Sequence, residues 1–299
     1  KTFFDLSKIL NLSNNDFIRT TEERHKKSVT ELWNILEKKN EIYLSKYSGW
    51  YSVSDEAFYS DNEIENRDNI KISKISGSPV EWVEEESYFF KLSKWQEPLL
   101  KFYKDNPDFI LPDSRKNEVI SFVKGGLKDL SISRTTFNWG IKVPNNEKHV
   151  MYVWLDALIN YLSAIGYPDK KYKKFWPANV HIVGKDILRF HAIYWPAFLL
   201  AANIEPPKRI FAHGWWTNEG KKISKSLGNV INPDELVKKY GLDSIRYFLL
   251  REVPFGNDGD YSSNALKRRI NNDLVNDLGN LVQRVLTIIY KNFNGKLNK

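Results

Sequence analysis

The stretch at 180–214, VHIVGKDILRFHAIYWPAFLLAANIEPPKRIFAHG, decides the fold class. It consists of a short apolar run at 180–184, a helical pattern at 187–202 and a second apolar run at 209–214. Nearly unbroken apolar runs on either side of a helix are typical of parallel strands buried on both faces of a sheet. An earlier apolar run at 150–154, followed by another helical pattern, extends the alternation. We therefore predict an α/β fold with half of a doubly wound parallel sheet.

The composition is that of an ordinary globular protein and excludes several classes of site. The chain has 299 residues, of which 41% are hydrophobic and 27% are charged. Its formal net charge of +8 favours a polyanionic partner such as a nucleic acid or a nucleotide. The chain has no cysteine, which excludes disulfides and cysteine-ligated zinc or iron–sulfur sites. No apolar run approaches the roughly 18 residues of a membrane span, so none is expected.

A lysine-rich loop, GKKISKSLGN at 220–229, precedes a helix start, NPDE at 232–235. The loop has glycine near both ends and holds three lysines and two serines. Lysine supplies a mobile positive charge, and glycine lets backbone amides approach an anion, so this composition favours phosphate binding. A solvated surface loop can have the same composition, and the loop alone does not decide between the two.

Ligands of open α/β sheets bind at the carboxyl ends of the strands. The predicted strand ends lie at 154–156, 184–186 and 213–216, and the lysine-rich loop follows the third. One edge should therefore gather glycines, aromatic rings, carboxylates and lysines, which suits an adenine, a ribose and a polyphosphate. The chain has neither G-x-G-x-x-G nor G-x-x-x-x-G-K-[ST], which argues against a dinucleotide dehydrogenase and against a P-loop enzyme.

The flanking segments carry weaker patterns. A capping box at 20–23 is expected to start a helix, 42–53 is expected to be a strand, and helical spacing is seen over 88–103. Residues 265–299 show apolar residues at helical spacing and hold seven Lys or Arg and two Asp, a net charge of +5. Such a helix either binds RNA or packs with a solvated basic face, and the residues alone favour the second interpretation.

The sequence KISKS at 222–226 resembles the KMSKS signature of class I aminoacyl-tRNA synthetases, with isoleucine in place of the usual methionine. Six further stretches, in the same order along the chain, resemble the methionyl-tRNA synthetase family: DFIRTT at 16–21, WYSVSDE at 50–56, YVWLDA at 152–157, GKDI at 184–187, FH at 190–191 and WP at 195–196. The similarity runs over nearly the whole chain and is nearest to the bacterial and mitochondrial branch. Several independent motifs in one order are far more specific than the loop alone.

The resemblance implies a division into five parts. These are the helical end of an N-terminal catalytic part at 1–40, a small α/β connective module at 41–142, the second half of a Rossmann-like doubly wound parallel sheet at 143–226, a linker at 227–264 and the first helix of an α-helical anticodon-binding bundle at 265–299. The family's HIGH signature would precede residue 1, so we expect the fragment alone to be inactive. Zinc in this family is held by cysteines, and the cysteine-free chain resembles the zinc-free branch.

The implied activity is the ATP-dependent attachment of L-methionine to its tRNA through methionyl-adenylate. The implied partners are L-methionine, ATP with Mg²⁺ and tRNA(Met), with no zinc, no membrane and a monomeric state. The expected compartment is the bacterial cytoplasm, with the mitochondrial matrix as the alternative. A leucyl, isoleucyl or valyl synthetase would also carry the lysine-rich loop, although its long editing insertion is not seen here. A non-catalytic tRNA-binding relative is a further alternative.

The resemblance also assigns site residues by position. Those for catalysis at the phosphates are Lys222, Ser224, Lys225 and Arg134, with Lys225 also a contact of ATP. Those for the adenosine part of ATP are Gly184, Asp186 and Trp216. Those for methionine are Trp154, Ala157, Tyr161, Ile187, His191 and Trp195. Those for the anticodon are Asn280 and Arg284, and no residue is assigned to a metal.

Each assignment has a plainer alternative. Arg134 could form a surface ion pair. Positions 187, 191 and 195 are each four apart, so they share one face of an α-helix, and that face could be ordinary core. His191 could be an interior histidine with satisfied hydrogen bonds. Asn280 and Arg284 lie one helical turn apart and could be ordinary polar residues on the surface of a helix.

Overall fold

The computed structural model describes residues 2–55, 57–59, 61–67, 70–223 and 228–296. The α-helices are α1 Thr2–Ile9, α2 Glu23–Lys38, α3 Gln96–Asp105, α4 Asp113–Lys124, α5 Val153–Leu158, α6 Asn160–Ala164, α7 Trp195–Ala201, α8 Pro233–Tyr240, α9 Leu242–Arg251, α10 Ser263–Arg269 and α11 Asn280–Phe293. The strands are β1 Ile42–Ser52, β2 Ala57–Tyr59, β3 Ile64–Arg67, β4 Ile70–Ser73, β5 Glu81–Phe90, β6 Ile110–Leu111, β7 Leu130–Ser131, β8 Ser133–Arg134, β9 Lys142–Val143, β10 Asn146–Met151, β11 His181–Gly184, β12 Ile210–His213, β13 Trp216–Asn218, β14 Lys221–Lys222 and β15 Gly259–Tyr261.

The chain forms two compact units. The central unit comprises Ile18–His181 and Asp186–Ile210. The C-terminal unit comprises Lys1–Phe17, Ile182–Lys185 and Phe211–Lys299. No helix in the described part of the chain is long and apolar enough to cross a lipid bilayer.

The central unit contains a four-stranded sheet with strand order β2-β1-β5-β7. The predicted strand at 42–53 is confirmed as β1, which pairs antiparallel with β5 from Ile42↔Phe90 to Tyr51↔Glu81. The predicted helix over 88–103 is wrong at its start, because β5 runs to Phe90 and α3 begins only at residue 96. Phe90 is fully buried, and its ring packs edge-on against Phe198 at 4.8 Å. Pairing and burial therefore override the local helical spacing.

The start of α2 differs from the predicted capping box. The residue that precedes the helix is Glu22, and no side chain caps the first turn. The Glu22 carboxylate instead accepts a hydrogen bond from the backbone N–H of Arg19 at 2.8 Å. The chain thus enters α2 through a turn closed by Glu22, and the threonine hydroxyls expected to cap the helix have no such role.

The apolar run at 150–154 was expected to be a parallel strand, and this prediction is wrong. Strand β10 ends at Met151 and pairs antiparallel with β8, with Val150 opposite Arg134. Helix α5 starts at Val153. A buried strand end followed directly by a helix produces the same apolar run as one buried strand, so periodicity could not separate them.

The two apolar runs in the deciding stretch are confirmed as β11 and β12. The backbone N–H of His181 donates to Arg209 O at 2.8 Å, and that of Ile210 donates to Phe109 O at 2.6 Å, so the strand starts lie side by side. Burial on both faces is not seen in β11, because His181 and Val183 are buried whereas Ile182 is 59% exposed.

The segment between β11 and β12 is helical but not one α-helix. A π-helical segment, Phe190–Tyr194, precedes α7. Because a π-helix has a longer turn than an α-helix, the four-residue spacing of 187, 191 and 195 does not place these side chains as predicted. The predicted continuous helix is therefore wrong in its first half.

In the C-terminal unit, β13 pairs antiparallel with β14 and parallel with β15. Gly259 of β15 requires the absence of a side chain, because a Cβ atom there would lie 2.5 Å from Val253 Cγ2. The predicted start of the next helix is confirmed: the Asn232 side chain accepts from Asp234 N at 3.1 Å at the first turn of α8. The basic C-terminal segment is helical as predicted, running from α10 through a π-helical segment, Ile270–Gly279, into α11.

Candidate active site

Four of the six residues assigned to methionine form one group of rings in the central unit. We call Trp154, Tyr161, His191 and Trp195 the aromatic cluster. The Tyr161 ring lies 5.6 Å from that of His191 and 6.3 Å from that of Trp195, and the Trp154 and His191 rings are 6.5 Å apart. The side chains come from α5, α6, the π-helical segment and α7. The other two assigned residues, Ala157 and Ile187, are half-buried on α5 and just before the π-helical segment.

Hydrogen bonds fix the protonation of Tyr161 and His191. The carbonyl oxygen of Ile187 can only accept, so His191 Nδ1, at 2.9 Å, carries a proton and donates it. Burial lowers the pKa of His191, an effect that this hydrogen bond opposes. The neutral ring therefore leaves Nε2 to accept from the Tyr161 hydroxyl at 2.7 Å. Burial also raises the pKa of Tyr161 to about 12, so the hydroxyl keeps its proton. The group is neutral, and the alternative of an interior histidine with satisfied bonds describes His191 as well as a binding role does.

The structure adds two side chains that the sequence did not assign. Phe190 stacks on Trp154 with ring centroids 3.5 Å apart. His181 accepts from Trp195 Nε1 at 3.3 Å and lies against the Tyr161 ring at 4.0 Å. The motif FH at 190–191 pointed to Phe190, but no spacing argument could place it beside Trp154. His181 lies on a strand, and nothing in the local pattern relates it to the helices that carry the cluster.

Arg134 is not a surface residue. Its side chain is 2% exposed, and Nη1 donates to Ser131 Oγ at 2.6 Å and to Ser133 O at 2.7 Å. Its guanidinium carbon lies 3.9 Å from the centroid of the Tyr152 ring. The alternative of a surface ion pair is therefore wrong. Stacking and two hydrogen bonds hold the guanidinium in one orientation.

In the C-terminal unit, a second group of side chains surrounds Trp215. The Lys185 ammonium lies 4.5 Å from the Trp215 ring centroid and 2.6 Å from Asp258 Oδ2, while Asp258 Oδ1 accepts from the backbone N–H of Trp215 at 2.9 Å. Lys222 lies farther out, at 5.9 Å from the same ring. Gly184 ends β11 and Trp216 starts β13, so both lie at strand termini. Asp186 is exposed and belongs to the central unit.

The two ends of the lysine-rich loop are joined by a hydrogen bond. Its stem is the β13–β14 hairpin, with Glu219 and Gly220 at φ of 50° and 72°, a conformation that glycine adopts without strain. Asn229 Nδ2 donates to Lys222 O at 3.0 Å, which joins the two ends of the segment between them. Ser224 and Lys225 lie outside the described residues.

Comparisons with known proteins identify the family. Residues 1–286 match the family described as tRNA synthetases class I (M). The chain belongs to this class I synthetase family. It is 62% identical over 299 residues to the methionine–tRNA ligase of Rickettsia felis and 59% identical over 298 residues to that of Brucella suis. Each alignment covers 99% of this chain and 58% of the relative, so the chain spans little more than half the length of these curated relatives.

Solved structures of class I synthetases agree with this assignment. The chain superimposes on Mycobacterium tuberculosis methionyl-tRNA synthetase in complex with methionyl-adenylate with a TM-score of 0.94 and 53% identity. The TM-score against the free form of that enzyme is 0.88, at 50% identity. Both superpositions cover 99% of this chain and 59% of the other. The predicted α/β class with a Rossmann-like parallel sheet is thereby confirmed, as is the resemblance on which the site residues were assigned.

The residues assigned to the anticodon and to metals can be placed, but their roles are untested. Asn280 and Arg284 are both exposed on α11, one turn apart, as the spacing predicted. Surface polarity accounts for this placement equally well. Among the described residues, no three His, Asp or Glu side chains gather in a group that could hold a metal ion.

Acid is expected to destabilise the folded chain through His191, which belongs to the aromatic cluster, and His181, which packs against it. Burial lowers the pKa of His181 to about 3 and also lowers that of His191. Below about pH 6.5 the unfolded chain binds protons at these side chains more readily than the folded chain does, so the free energy of unfolding falls as the pH falls. The thermal midpoint should drop between about pH 7.5 and about pH 5.5.

The matched control is the double variant H181Q/H191Q, which lacks both titrating rings. Its thermal midpoint should depend less on pH over the same range. A wild-type midpoint that stays constant across the range would contradict the neutral, buried state of these two histidines.

Proposed function

We propose that the whole protein attaches L-methionine to tRNA(Met), using ATP and passing through methionyl-adenylate. The observation that carries the proposal is the neutral aromatic cluster in a chain that closely matches a synthetase solved with methionyl-adenylate. A cluster without charge suits an unbranched apolar side chain with a polarizable sulfur. The residues matched to the family's site, and not fold alone, support the assignment.

The methionine side chain is proposed to lie against the aromatic cluster, with Ala157 and Ile187 completing the contacts. The Tyr161 proton is donated to His191, so the phenolic oxygen presents lone pairs rather than a donor. Selection by this site then depends on shape and on contact with polarizable rings. A charged or strongly hydrated side chain would lose its water without finding a partner.

In the first step, an oxygen of the methionine carboxylate attacks the α-phosphorus of ATP. The bond from that phosphorus to the oxygen bridging to the β-phosphate breaks, and pyrophosphate leaves with its Mg²⁺. Such a transfer needs position and positive charge more than covalent catalysis. We assign the charge to Arg134, Lys222 and Lys225, with Ser224 as a neutral donor. Mg²⁺ enters with ATP, and a chain without cysteine is proposed to use no zinc.

ATP is proposed to place its adenosine at Gly184, Asp186 and Trp216. Glycine at the end of β11 permits close approach of the ligand, and a carboxylate such as Asp186 accepts from ribose hydroxyls. The backbone at Trp216, rather than its ring, is the proposed adenine contact. This suits the ring's packing against Phe248 at 5.7 Å.

In the second step, a hydroxyl of the terminal tRNA ribose attacks the carbonyl carbon of the adenylate and AMP leaves. Asn280 and Arg284 are proposed to read anticodon bases, since amide and guanidinium groups on one helix face suit splayed single-stranded bases. The five-part division into 1–40, 41–142, 143–226, 227–264 and 265–299 is part of the proposal. So are a monomeric state and, because the relatives above are bacterial, the bacterial cytoplasm rather than the mitochondrial matrix.

The deciding experiment is amino-acid-dependent ATP–pyrophosphate exchange with the whole protein. We expect exchange with methionine and at most a small fraction of that rate with leucine, isoleucine or valine. Faster exchange with one of those would replace the proposal by another class I synthetase. No exchange with any amino acid, together with retained tRNA binding, would indicate a non-catalytic tRNA-binding relative.

A further inference from the structure

His181 is buried between residues proposed to contact methionine and is not itself assigned to the site. His181 is 5% exposed, and its backbone N–H donates a hydrogen bond to Arg209 O at 2.8 Å. It lies at the first position of β11, so the strand fixes its Cα. The imidazole ring is therefore attached to backbone that is held in a strand.

The hydrogen bond from Trp195 determines the state of the His181 ring. An indole N–H can only donate, so His181 Nε2, at 3.3 Å from Trp195 Nε1, must present a lone pair. The ring proton then lies on Nδ1 and the ring is neutral. Burial lowers the pKa of His181 to about 3, and the neighbouring His191 adds to this effect, so the acceptor persists at working pH. Trp195 is fully buried, and this bond satisfies the only polar atom of its side chain.

Two aromatic rings, those of Tyr161 and Trp176, also pack close to the His181 ring. The Tyr161 ring lies 4.0 Å away at an interplanar angle of 31°. The Trp176 ring centroid lies 5.8 Å from that of His181 and 6.2 Å from that of Trp195, so Trp176 contacts both members of this hydrogen-bonded pair. Trp176 is itself fixed, because its Nε1 donates to Glu205 O at 2.6 Å. A shift of the His181 ring would therefore change the positions of Tyr161 and Trp195 together.

We propose that His181 is a positioning residue of the amino-acid site: it holds the Trp195 indole by a hydrogen bond and the Tyr161 ring by a close ring–ring contact. This inference rests on the proposed function, since Tyr161 and Trp195 are the proposed methionine contacts. It predicts an effect on methionine binding that is separate from ATP binding. Loss of the Nε2 acceptor and loss of the imidazole ring should weaken methionine binding to different degrees.

Two variants separate these contributions in the whole protein. H181F keeps an aromatic ring but removes the acceptor, which leaves the buried Trp195 N–H without a partner. H181Q supplies an oxygen near the position of Nε2 but removes the ring. We expect H181F to raise the KM for methionine roughly 10-fold in ATP–pyrophosphate exchange and H181Q to raise it roughly 3-fold, with the KM for ATP within about twofold of wild type.

The matched control is V119A, a cavity-forming change at a fully buried position in α4. It should lower the thermal midpoint while leaving the KM for methionine unchanged. Wild-type protein without methionine-dependent exchange would overturn the proposed function, not the role of His181. An active wild type combined with an unchanged methionine KM in both variants would overturn the role of His181. If the His181 variants raised the KM for methionine and the KM for ATP in parallel, His181 would be purely structural and the proposed role would be overturned. The same would follow if they only lowered the thermal midpoint, as V119A should.

Discussion

Replacing Lys225 by alanine is expected to slow methionine-dependent ATP–pyrophosphate exchange roughly 100- to 1000-fold, the scale seen when one stabilising group for a developing charge is removed. The proposed transition state spreads negative charge over phosphate oxygens that leave with pyrophosphate. A lysine ammonium on a loop can approach those oxygens late in the reaction, so its loss should lower kcat more than it raises the KM for ATP. Arginine at the same position should restore part of the rate.

The chain offers a matched control in the same loop. Lys221 lies in β14 and is exposed, and no role at the phosphates is assigned to it. K221A removes one positive charge four residues earlier in the sequence and should leave exchange within about twofold of wild type. Equal losses in K221A and K225A would mean that the loop acts through its net charge alone. An unchanged rate in K225A would remove this lysine from the site.

Local sequence signals predicted the parts of the fold that depend on neighbours in the chain. Four consecutive residues determine the start of α8, because Asn232 caps the first turn, which begins at Pro233. Strand β1 and the strands β11 and β12 were likewise readable from apolar patterns. The end of β5 and the antiparallel pairing of β10 were not, because partners more than ten residues away determine them. Short apolar runs leave such choices open.

Prediction of the candidate site residues depended on the family resemblance far more than on hydrophobic periodicity. Helical spacing alone grouped 187, 191 and 195, and the π-helical segment at 190–194 breaks that spacing. Trp154 and Tyr161 come from other helices, and only the family match connected them with His191. His181 was missed by both routes, since it lies on a strand and is not among the residues carried over. Its place became visible through two contacts across the fold, with Tyr161 and Trp195.

Removing the guanidinium of Arg134 is expected to have the second large effect. R134L should lower the exchange rate roughly 100-fold, because the buried, oriented positive group that we propose to act at the phosphates would be missing. It should also cost about 1–3 kcal/mol of stability, since Ser131 Oγ and Ser133 O lose their charged donor inside the protein. R134K keeps the charge but loses the planar group that lies over Tyr152, so its rate should fall between those of wild type and R134L.

Stability and catalysis must be separated for a residue this buried. R115L, on α4, removes an arginine that pairs with Glu118 at 3.0 Å on the surface, and it should change neither exchange nor the thermal midpoint appreciably. Exchange by R134L is therefore measured per folded molecule, at a temperature well below its midpoint. A lowered midpoint with full exchange would make Arg134 a structural arginine that anchors β8 beside β10. Loss of exchange in R134L with partial activity in R134K would instead require a positive charge at this position for the reaction itself.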